Sequence, residues 1–506
     1  MKKLSGLILI AAIIASGCSQ SYYDSVNVNP NNSTSATVDL VLSNALKTSA
    51  APQVTTYVLF SEWMNYWSPS GSYAISSSDG SSYLETTNTA DGNGLWSSIY
   101  DNLEDYDYIE KTATATNQYF YIAAAKTMKA YLYAQLVDMF DNVPYSEALK
   151  GAANFTPKYD NGKDIYEALS TDLGTAVTYF QRADAIGSTT QDILFAANNA
   201  NWAKFANSLR LRLLIHQTEL AGRGTYIQQE LTKIAANGSG YMTINAAVNP
   251  GYSNSAGKTN PFWGFSYSLA GTYSQDFWRA AKLVIDFCVA HNDPRYTRWY
   301  APISGGTYVG TVLGASGNPV GSLSSTFGPG VLVSVSQPAL LMSASESWFN
   351  QAEMILRGYT GGFSTNDVTA FQNGVTNSFT FLGLTSAQAA TYYNQAGDKQ
   401  VNYSACTTFG EKLNCILRQK WLAQQDIAPM EAWNDYRRTK GLNLAWTTEG
   451  ATTLGIVLSK NPGRDANDIP VRILYPLIEY QTNPSNVGAQ AQTSTAHHTS
   501  KVWWMP

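Results

Sequence analysis

Aromatic side chains in polar stretches are the residues of this sequence best suited to chemistry, and that chemistry is binding. The chain contains 13 Trp, 32 Tyr and 18 Phe among 506 residues. A flat ring can pack on the C–H face of a sugar, and Tyr and Trp supply such contact area at low entropic cost. Residues of this kind in segments rich in Gly, Ser and Asn are predicted to bind ligand: Trp67, Tyr73, Trp263, Tyr267 and Trp299.

Each of these rings has a simpler alternative role, which is to pack its loop onto the rest of the protein. Trp67 and Trp263 are the favoured binding residues because turn-forming residues adjoin them. Ser68-Pro69-Ser70-Gly71 follows the first, and Asn260-Pro261 precedes the second. Such positions present a ring at the surface more readily than a helix stripe does.

Carboxylates beside the first aromatic stretch could in principle hydrolyse a glycoside, which requires two of them at a suitable separation. The candidates are Glu62, Asp79, Glu85 and Asp91. Spacing along the chain does not show a pair in space, and 37 acidic residues make chance neighbours plentiful. The sequence has no G-x-S-x-G, H-E-x-x-H or P-loop motif. We therefore predict no catalytic residues and no cofactor.

Metal and disulfide chemistry have little support. No His lies near Cys406 or Cys415 in the sequence, and the whole chain has four His. We therefore predict no metal site. Asp91 to Gly94 resembles part of a calcium loop without its remaining ligands, so a simple turn is the better interpretation. Cys406 and Cys415 could form a disulfide in an oxidising compartment, or these two and Cys288 could be buried small apolar residues.

The composition excludes a polyanion-binding surface as the main function. Lys and Arg number 32 against 37 Asp and Glu, which gives a net charge of −5, whereas nucleic-acid binding needs a basic excess. Hydrophobic residues make up 44%, enough for a large core, and charged residues only 14%, well below the usual share. A neutral polar surface of this kind suits uncharged polar partners such as sugars.

The N-terminus has the pattern of a lipoprotein export signal. Lys2 and Lys3 precede an apolar stretch from Leu4 to Ala15, which is too short to span a bilayer. The following Ala15-Ser16-Gly17-Cys18 is typical of a bacterial lipobox, which predicts lipidation of Cys18. An ordinary secretory signal that happens to contain Cys is the alternative. The acyl chains would be the membrane anchor, because no later apolar run approaches 18 residues.

Helices with one apolar stripe are the elements that must position the candidate aromatic residues. Apolar residues recur at every third or fourth position in eight segments: 118–140, 164–181, 198–220, 274–291, 345–358, 366–382, 411–425 and 429–439. Asp164 followed by Glu167 indicates a capping box at the start of the second. Long irregular segments at 61–94, 239–273 and 301–337 carry the aromatic residues.

The domain organisation is predicted as a signal peptide at 1–17, a tether at 18–37 and one domain at 38–506, because no linker or charge run divides the chain. Paired helices joined by short loops favour a mostly α fold of the tetratricopeptide kind, although no 34-residue repeat is visible. His216 lies on an apolar stripe and is predicted to be a core residue. Arg437 and Arg438 are assigned to an internal salt-bridge cluster rather than to an anionic ligand.

Several segments together resemble the SusD/RagB family of nutrient-binding outer-membrane lipoproteins, specifically its second SusD-like subgroup. Each segment alone is weak, but their order over nearly the whole chain is specific. The segments are Asn29-Pro30-Asn31, 96–100 (WSSIY), 202–215 (WAKFANSLRLRLLI), Asp293-Pro294-Arg295, 351–359 (QAEMILRGY), 371–383 (FQNGVTNSFTFLG), Lys420-Trp421, 431–433 (EAW), 436–439 (YRRT), 472–476 (RILYP) and Trp503-Trp504.

This resemblance implies a mostly helical fold with four tetratricopeptide-like helix pairs and no catalysis. It also implies a cell-surface protein of the outer membrane that captures oligosaccharides, or peptides in some members, for a SusC-type TonB-dependent transporter. A scaffold that binds the transporter without a free ligand is a further alternative. The matching segments are structural, so the resemblance assigns no ligand-binding residue.

Overall fold

The computed structural model describes residues 36–52, 57–75, 79–83, 94–442, 455–465, 468–490 and 496–506. The predicted lipidation site Cys18 and the turn at Asp91 to Asn93 lie outside these residues, as do Glu85 and the side chain of Asp79. Among the described residues, no helix is both long and apolar enough to cross a membrane.

Helices make up most of the described structure. In chain order they are α1 Val38–Ala50, α2 Val58–Trp63, α3 Asp79–Ser82, α4 Ser97–Ala115, α5 Tyr119–Phe140, α6 Gly162–Phe180, α7 Asn199–His216, α8 Gly224–Asn237, α9 Pro261–Ser266, α10 Lys282–Ala290, α11 Tyr296–Trp299, α12 Ala344–Leu356, α13 Asp367–Phe381, α14 Ser386–Tyr393, α15 Phe409–Gln424, α16 Pro429–Thr439, α17 Leu477–Thr482, α18 Pro484–Val487 and α19 Ala496–Thr499. The predicted mostly α fold is therefore confirmed.

Short strands tie the irregular segments to one another in antiparallel pairs. They are β1 Trp67–Pro69, β2 Val143–Pro144, β3 Tyr159–Asp160, β4 Ala246–Val248, β5 Trp278–Ala280, β6 Tyr300–Ala301, β7 Thr326–Phe327 and β8 Ala339–Met342. The pairs are β1 with β5, β2 with β3, β4 with β8 and β6 with β7.

The helices stack in chain order around a buried helix. α4 packs on α5, α5 on α6 and α6 on α7, and α7 then contacts α12, which packs on α13 and α15. Only three residues join α4 to α5, so the two run antiparallel. All residues of α5 except Tyr119, Lys126 and Lys129 are buried, as expected for a helix that is apolar on every side.

Seven of the eight predicted helices lie where the apolar period placed them. The helix predicted at 274–291 is wrong in its first half, because Trp278–Ala280 pairs with β1 as a strand and α10 begins only at Lys282. The capping box at Asp164 is also wrong. The side chain of Asn161 accepts a hydrogen bond from the Lys163 amide, so α6 begins two residues earlier.

Buried charges link the central helices, and we call this set the ion network. Arg212 on α7 forms a bidentate pair with Glu346 on α12, with Nε 2.7 Å from Oε1. Arg438 on α16 pairs with Glu353 on α12, with Nη2 2.6 Å from Oε2. Although burial opposes ionisation, Arg438 and Arg357 lower the pKa of Glu353 to about 2. The predicted structural role of Arg438 is confirmed.

His216 is buried within the ion network, as predicted for a core histidine. Its Nε2 lies 3.0 Å from Glu431 Oε2, and its Nδ1 lies 2.9 Å from the Tyr166 hydroxyl. Burial alone would lower the pKa of His216, but the carboxylates of Asp138 and Glu431 raise it to about 9. The imidazole is therefore protonated at neutral pH and acts as a cation between two acids.

The C-terminal residues pack beside the ion network. The Trp504 indole donates from Nε1 to Asp138 Oδ1 at 2.9 Å, and Asp138 belongs to the central helix α5. The backbone amide of Trp503 donates to Asp141 Oδ1 at 2.7 Å. The last residues of the chain are thus part of the core.

Replacing His216 should remove a pH-dependent part of the stability. The folded pKa of about 9 lies above the model-peptide value of 6.5, so this contribution is complete below pH 6.5 and is lost as pH rises through 9. From pH 6 to above pH 9, the wild type should lose up to about 3 kcal/mol more unfolding free energy than His216→Gln. Urea unfolding at each pH measures this. His291→Gln is the control, and equal losses in wild type and His216→Gln would contradict the assignment.

Candidate functional site

Trp67 belongs to β1, and the pairing of this strand with β5 places the residue among the irregular segments that carry the aromatic side chains. β1 pairs with β5 in the register Trp67 to Ala280 and Pro69 to Trp278. The Trp67 ring is 0% exposed, and its centroid lies 4.7 Å from that of Phe327 and 6.0 Å from that of Phe265. Trp67 therefore connects three of the irregular segments that the sequence left unassigned.

The indole of Trp67 also anchors a buried acid. Its Nε1 donates to Asp426 Oδ1 at 2.6 Å. Asp426 follows α15 in the left-handed backbone region, with φ of 60°. Burial raises the pKa of the Asp426 carboxyl to about 7. No sequence signal connects these residues, which are 359 positions apart.

Trp263 and Tyr267 form a stacked pair at the surface. The Asn260 side chain caps α9 by accepting from the amides of Phe262 and Trp263, and Pro261 occupies the first helical turn. One turn of helix then brings Trp263 and Tyr267 together, with ring centroids 4.4 Å apart and an angle of 18° between the planes. Both rings are half-buried, so one aromatic platform remains accessible.

Tyr73 is held at the surface by a tight loop. Its ring is 37% exposed and lies 4.6 Å from the Phe277 ring, centroid to centroid. The Gly71 amide donates to the Pro319 carbonyl at 2.9 Å. A Cβ at Gly71 would come within 1.8 Å of the Asn318 carbonyl oxygen, so only glycine allows this approach.

Arg279, which the sequence did not single out, joins the loops that carry these rings. Its Nη1 donates to the carbonyls of Gln275 and Trp278 at 2.9 and 2.8 Å, and its Nε donates to that of Gly321 at 3.3 Å. The side chain is buried. We use the name aromatic surface for the half-buried or exposed rings that these contacts position: Tyr73, Trp263, Tyr267, Tyr273, Phe277 and Trp278.

Three of the five predicted binding residues lie on the aromatic surface: Tyr73, Trp263 and Tyr267. Trp67 is buried, and its ring contacts those of Phe265 and Trp278, which lie on two of the segments that carry the aromatic surface. Trp299 is 2% exposed, and the Arg295 guanidinium lies 5.2 Å from its ring centroid. Direct ligand contact by Trp67 and Trp299 stays a prediction.

A cavity of about 750 Å³ opens beside Trp67, and we call it the α10 cavity. Its volume is in the range of small-ligand pockets. The sequence did not predict it because six separate parts of the chain build it. Its described lining is Asn65, Trp67, Ser68, Ala281, Lys282, Leu283, Asp286, Phe287, Ala290, His291, Thr311, Val312, Leu313, Gln400, Arg418, Val457, Leu458 and Lys460.

Of the four carboxylates considered for a hydrolytic pair, Glu62 is the one whose side chain the structure describes, so a pair among them stays a hypothesis. Glu62 is buried beside Gly80. A different group, Asp138, His216 and Glu431, has ligand atoms within 4.8 Å of one another, a spacing that could hold a metal ion. Both ring nitrogens of His216 already have partners in this cluster, because Nδ1 lies 2.9 Å from the Tyr166 hydroxyl and Nε2 lies 3.0 Å from Glu431 Oε2.

The described cysteines are buried free thiols: Cys288, Cys406 and Cys415. This agrees with the interpretation as small apolar residues and not with a disulfide between the last two. Cys406 Sγ contacts the Lys399 carbonyl oxygen at 3.4 Å.

Residues 30–476 match the SusD-like family model described as starch-binding, associating with outer membrane. Similar solved structures cover nearly the whole chain. A SusD/RagB family protein from Bacteroides thetaiotaomicron is 21% identical, with 93% of this chain and 99% of that chain covered and a TM-score of 0.71. A SusD homolog from Bacteroides uniformis is 21% identical, with 92% and 99% covered and a TM-score of 0.72.

A chitin-binding SusD homolog from Flavobacterium johnsoniae is also similar. It is 21% identical, with 92% of this chain and 98% of that chain covered and a TM-score of 0.69. At this identity the likeness concerns the fold. No curated protein matches this chain.

Replacing Asp426 by Asn should remove the free-energy cost of ionising a buried carboxyl group while keeping the hydrogen bond from Trp67. Asn accepts the same indole hydrogen bond and tolerates a positive φ. The folded pKa of about 7 exceeds the model value of 3.8, so wild-type stability falls as pH rises between these values. Urea unfolding should show Asp426→Asn gaining on wild type by up to about 4 kcal/mol from pH 4 to 8. The exposed Asp101→Asn is the control, and a constant difference would refute this.

Proposed function

Since the chain belongs to the SusD-like family, we propose that it is a binding protein, not an enzyme, that captures a glycan nutrient at the bacterial outer membrane. The observation that carries the proposal is the stacked, half-buried pair of Trp263 and Tyr267, with the exposed Tyr73 on the same set of loops. These are flat rings fixed in position before any ligand arrives.

The binding mechanism follows from the chemistry of a sugar ring. One face of a pyranose is covered by C–H bonds and packs on an aromatic ring, while its hydroxyl groups need polar partners. Asn260 and Arg279 hold the loops that carry the rings, so the platform loses little conformational entropy on binding. The weak charge of the protein suits a neutral or weakly charged ligand.

The solved structure described as chitin-binding supports a polysaccharide-derived ligand without identifying it for this chain. Captured ligand would pass to a SusC-type TonB-dependent transporter, over which the protein would act as a lid. This partner follows from family membership. A peptide ligand, or a scaffold that binds only the transporter, would be recognised by the outcomes of the binding test.

The proposed anchor is lipid on Cys18, because the lipobox-like Ala15 to Cys18 follows an apolar stretch too short to span a bilayer. Several acyl chains on one cysteine hold a protein on a membrane stably, whereas one chain does not. The protein would face the cell exterior.

Removing a ring of the platform should weaken glycan binding without unfolding the protein. Trp263→Ala and Tyr73→Ala should each lower affinity about tenfold, equivalent to about 1.4 kcal/mol. Calorimetric titration of the full-length protein in detergent with chitin-, starch- and xylan-derived oligosaccharides, and with peptides, measures this. Phe155→Ala, whose ring is 76% exposed on the loop between β2 and β3, is the control.

Saturable binding of one sugar class that is lost in Trp263→Ala supports glycan capture at the aromatic surface. Binding of peptides and of no sugar would identify the ligand as a peptide rather than a glycan. If no sugar or peptide of the panel binds and the transporter still co-purifies, the protein would instead be a scaffold that binds only the transporter.

Lipidation makes a separate prediction. Cys18→Ala should abolish incorporation of a labelled fatty acid and move the protein from the membrane fraction to the soluble fraction. Cys406→Ala is the control and should retain the label. A membrane-bound, unlabelled wild type would contradict the anchor.

A further inference from the structure

Asp276 is an exposed acid on a turn that carries two rings of the aromatic surface. Gln275 begins this turn, and its side-chain oxygen accepts hydrogen bonds from the amides of Phe277 and Trp278 at 3.2 and 3.3 Å. Arg279 Nη1 donates to the Gln275 carbonyl at 2.9 Å. These contacts fix the backbone on both sides of Asp276, so its carboxylate is presented from a preformed turn.

The carboxylate of Asp276 is paired with Tyr73, a ring that the sequence predicted to bind ligand. Hydrogen bonding between the two side chains is the main cause that raises the pKa of Tyr73, and partial removal of the hydroxyl from water adds to it. The Tyr73 ring packs against Phe277, with the ring centroids 4.6 Å apart. An accessible ring and a carboxylate acceptor are therefore neighbours on the aromatic surface.

Asp276 keeps acceptor capacity beyond its contact with Tyr73. An ionised carboxylate offers about four lone-pair sites, and one tyrosine hydroxyl uses one of them. Asp276 also attracts Arg279, but that guanidinium is buried and donates to three backbone carbonyls. A ligand on the Tyr73 ring would therefore meet the negative charge and not the positive one.

This combination matches the chemistry of an uncharged sugar. The C–H face of a pyranose packs on an aromatic ring, and the hydroxyl groups at its edge are then available to donate to a carboxylate. Hydrogen bonds to an ionised acceptor are roughly twice as strong as those between neutral groups. A sugar that itself carries a carboxylate would instead bring like charges together, which lowers its affinity.

We propose that Asp276 is a ligand-binding residue of the aromatic surface, which accepts the hydroxyl groups of a neutral sugar unit stacked on Tyr73 and disfavours acidic units. The proposal rests on the proposed function and narrows its ligand to glycans whose bound units are uncharged. It also supplies the polar partner that stacking on the rings leaves unassigned.

The test compares Asp276→Asn with the wild type. Chitotriose, maltotriose, xylotriose and trigalacturonic acid are titrated calorimetrically into the full-length protein in detergent. The neutral trisaccharide that the wild type binds best should lose about fivefold in affinity in Asp276→Asn, because an amide oxygen accepts a weaker hydrogen bond than a carboxylate. Asp101→Asn, which removes another exposed acid, is the matched control and should change nothing.

The acidic probe tests the charge preference. Trigalacturonic acid should bind the wild type at least about tenfold more weakly than the best neutral trisaccharide, because its carboxylates repel Asp276. Asp276→Asn should narrow this gap.

A second variant separates contact with the sugar from support of the Tyr73 ring. Tyr73→Phe keeps the ring and removes the hydroxyl that bonds to Asp276. If Asp276 contacts the sugar, Asp276→Asn should lose about the same factor in the Tyr73→Phe background as in the wild type. Both side chains are exposed, and equal melting temperatures verify that the fold is kept.

Unchanged affinity in Asp276→Asn would overturn the proposal, as would tighter binding of trigalacturonic acid than of every neutral trisaccharide. Disappearance of the Asp276→Asn effect in the Tyr73→Phe background would also overturn it, since Asp276 would then act only by positioning Tyr73. If neutral sugars bind in a Trp263-dependent manner and Asp276→Asn binds them equally well, glycan capture stands and only the role of Asp276 fails. If no sugar binds, both fail.

Discussion

Charges that are removed from water and paired across facing helices are the constraint on which this fold depends. Arg212 with Glu346, Arg438 with Glu353 and protonated His216 with Glu431 join α7, α12 and α16. A buried ion is costly unless its partner stands in the right place, so each pair fixes how one helix lies against another. Apolar packing alone would tolerate sliding between helices, whereas these pairs specify one arrangement.

A few hydrogen bonds from this core fix the positions of the rings on the aromatic surface. Trp67 is fixed by Asp426 at the end of α15, and Arg279 gathers the carbonyls of the surrounding loops. Loops of this length are ordinarily mobile, and a mobile ring loses conformational entropy when it binds. Here the rings are supported by contacts from the helical body, which makes long irregular segments usable as a binding platform.

Helices could be predicted from the sequence because their signal is local. The apolar period located α5, α7 and α15, yet it failed at Trp278–Ala280, where pairing with β1 overrode it. The same limit applies to the site. Turn residues next to Trp263 marked an accessible ring, but the α10 cavity joins Asn65, Phe287 and Lys460, which no spacing rule connects. Partners such as Glu353 for Arg438 were likewise out of reach of sequence reasoning.

The hydrogen bond between Trp504 and Asp138 has a consequence for folding. Its two partners are 366 positions apart, and one of them lies in the innermost helix. A contact of such long sequence separation forms only after a large loop has closed, and the entropy of that closure is lost before the contact can stabilise the fold. The surroundings of Asp138 are therefore completed by a late, non-local step rather than by neighbouring turns of the same helix.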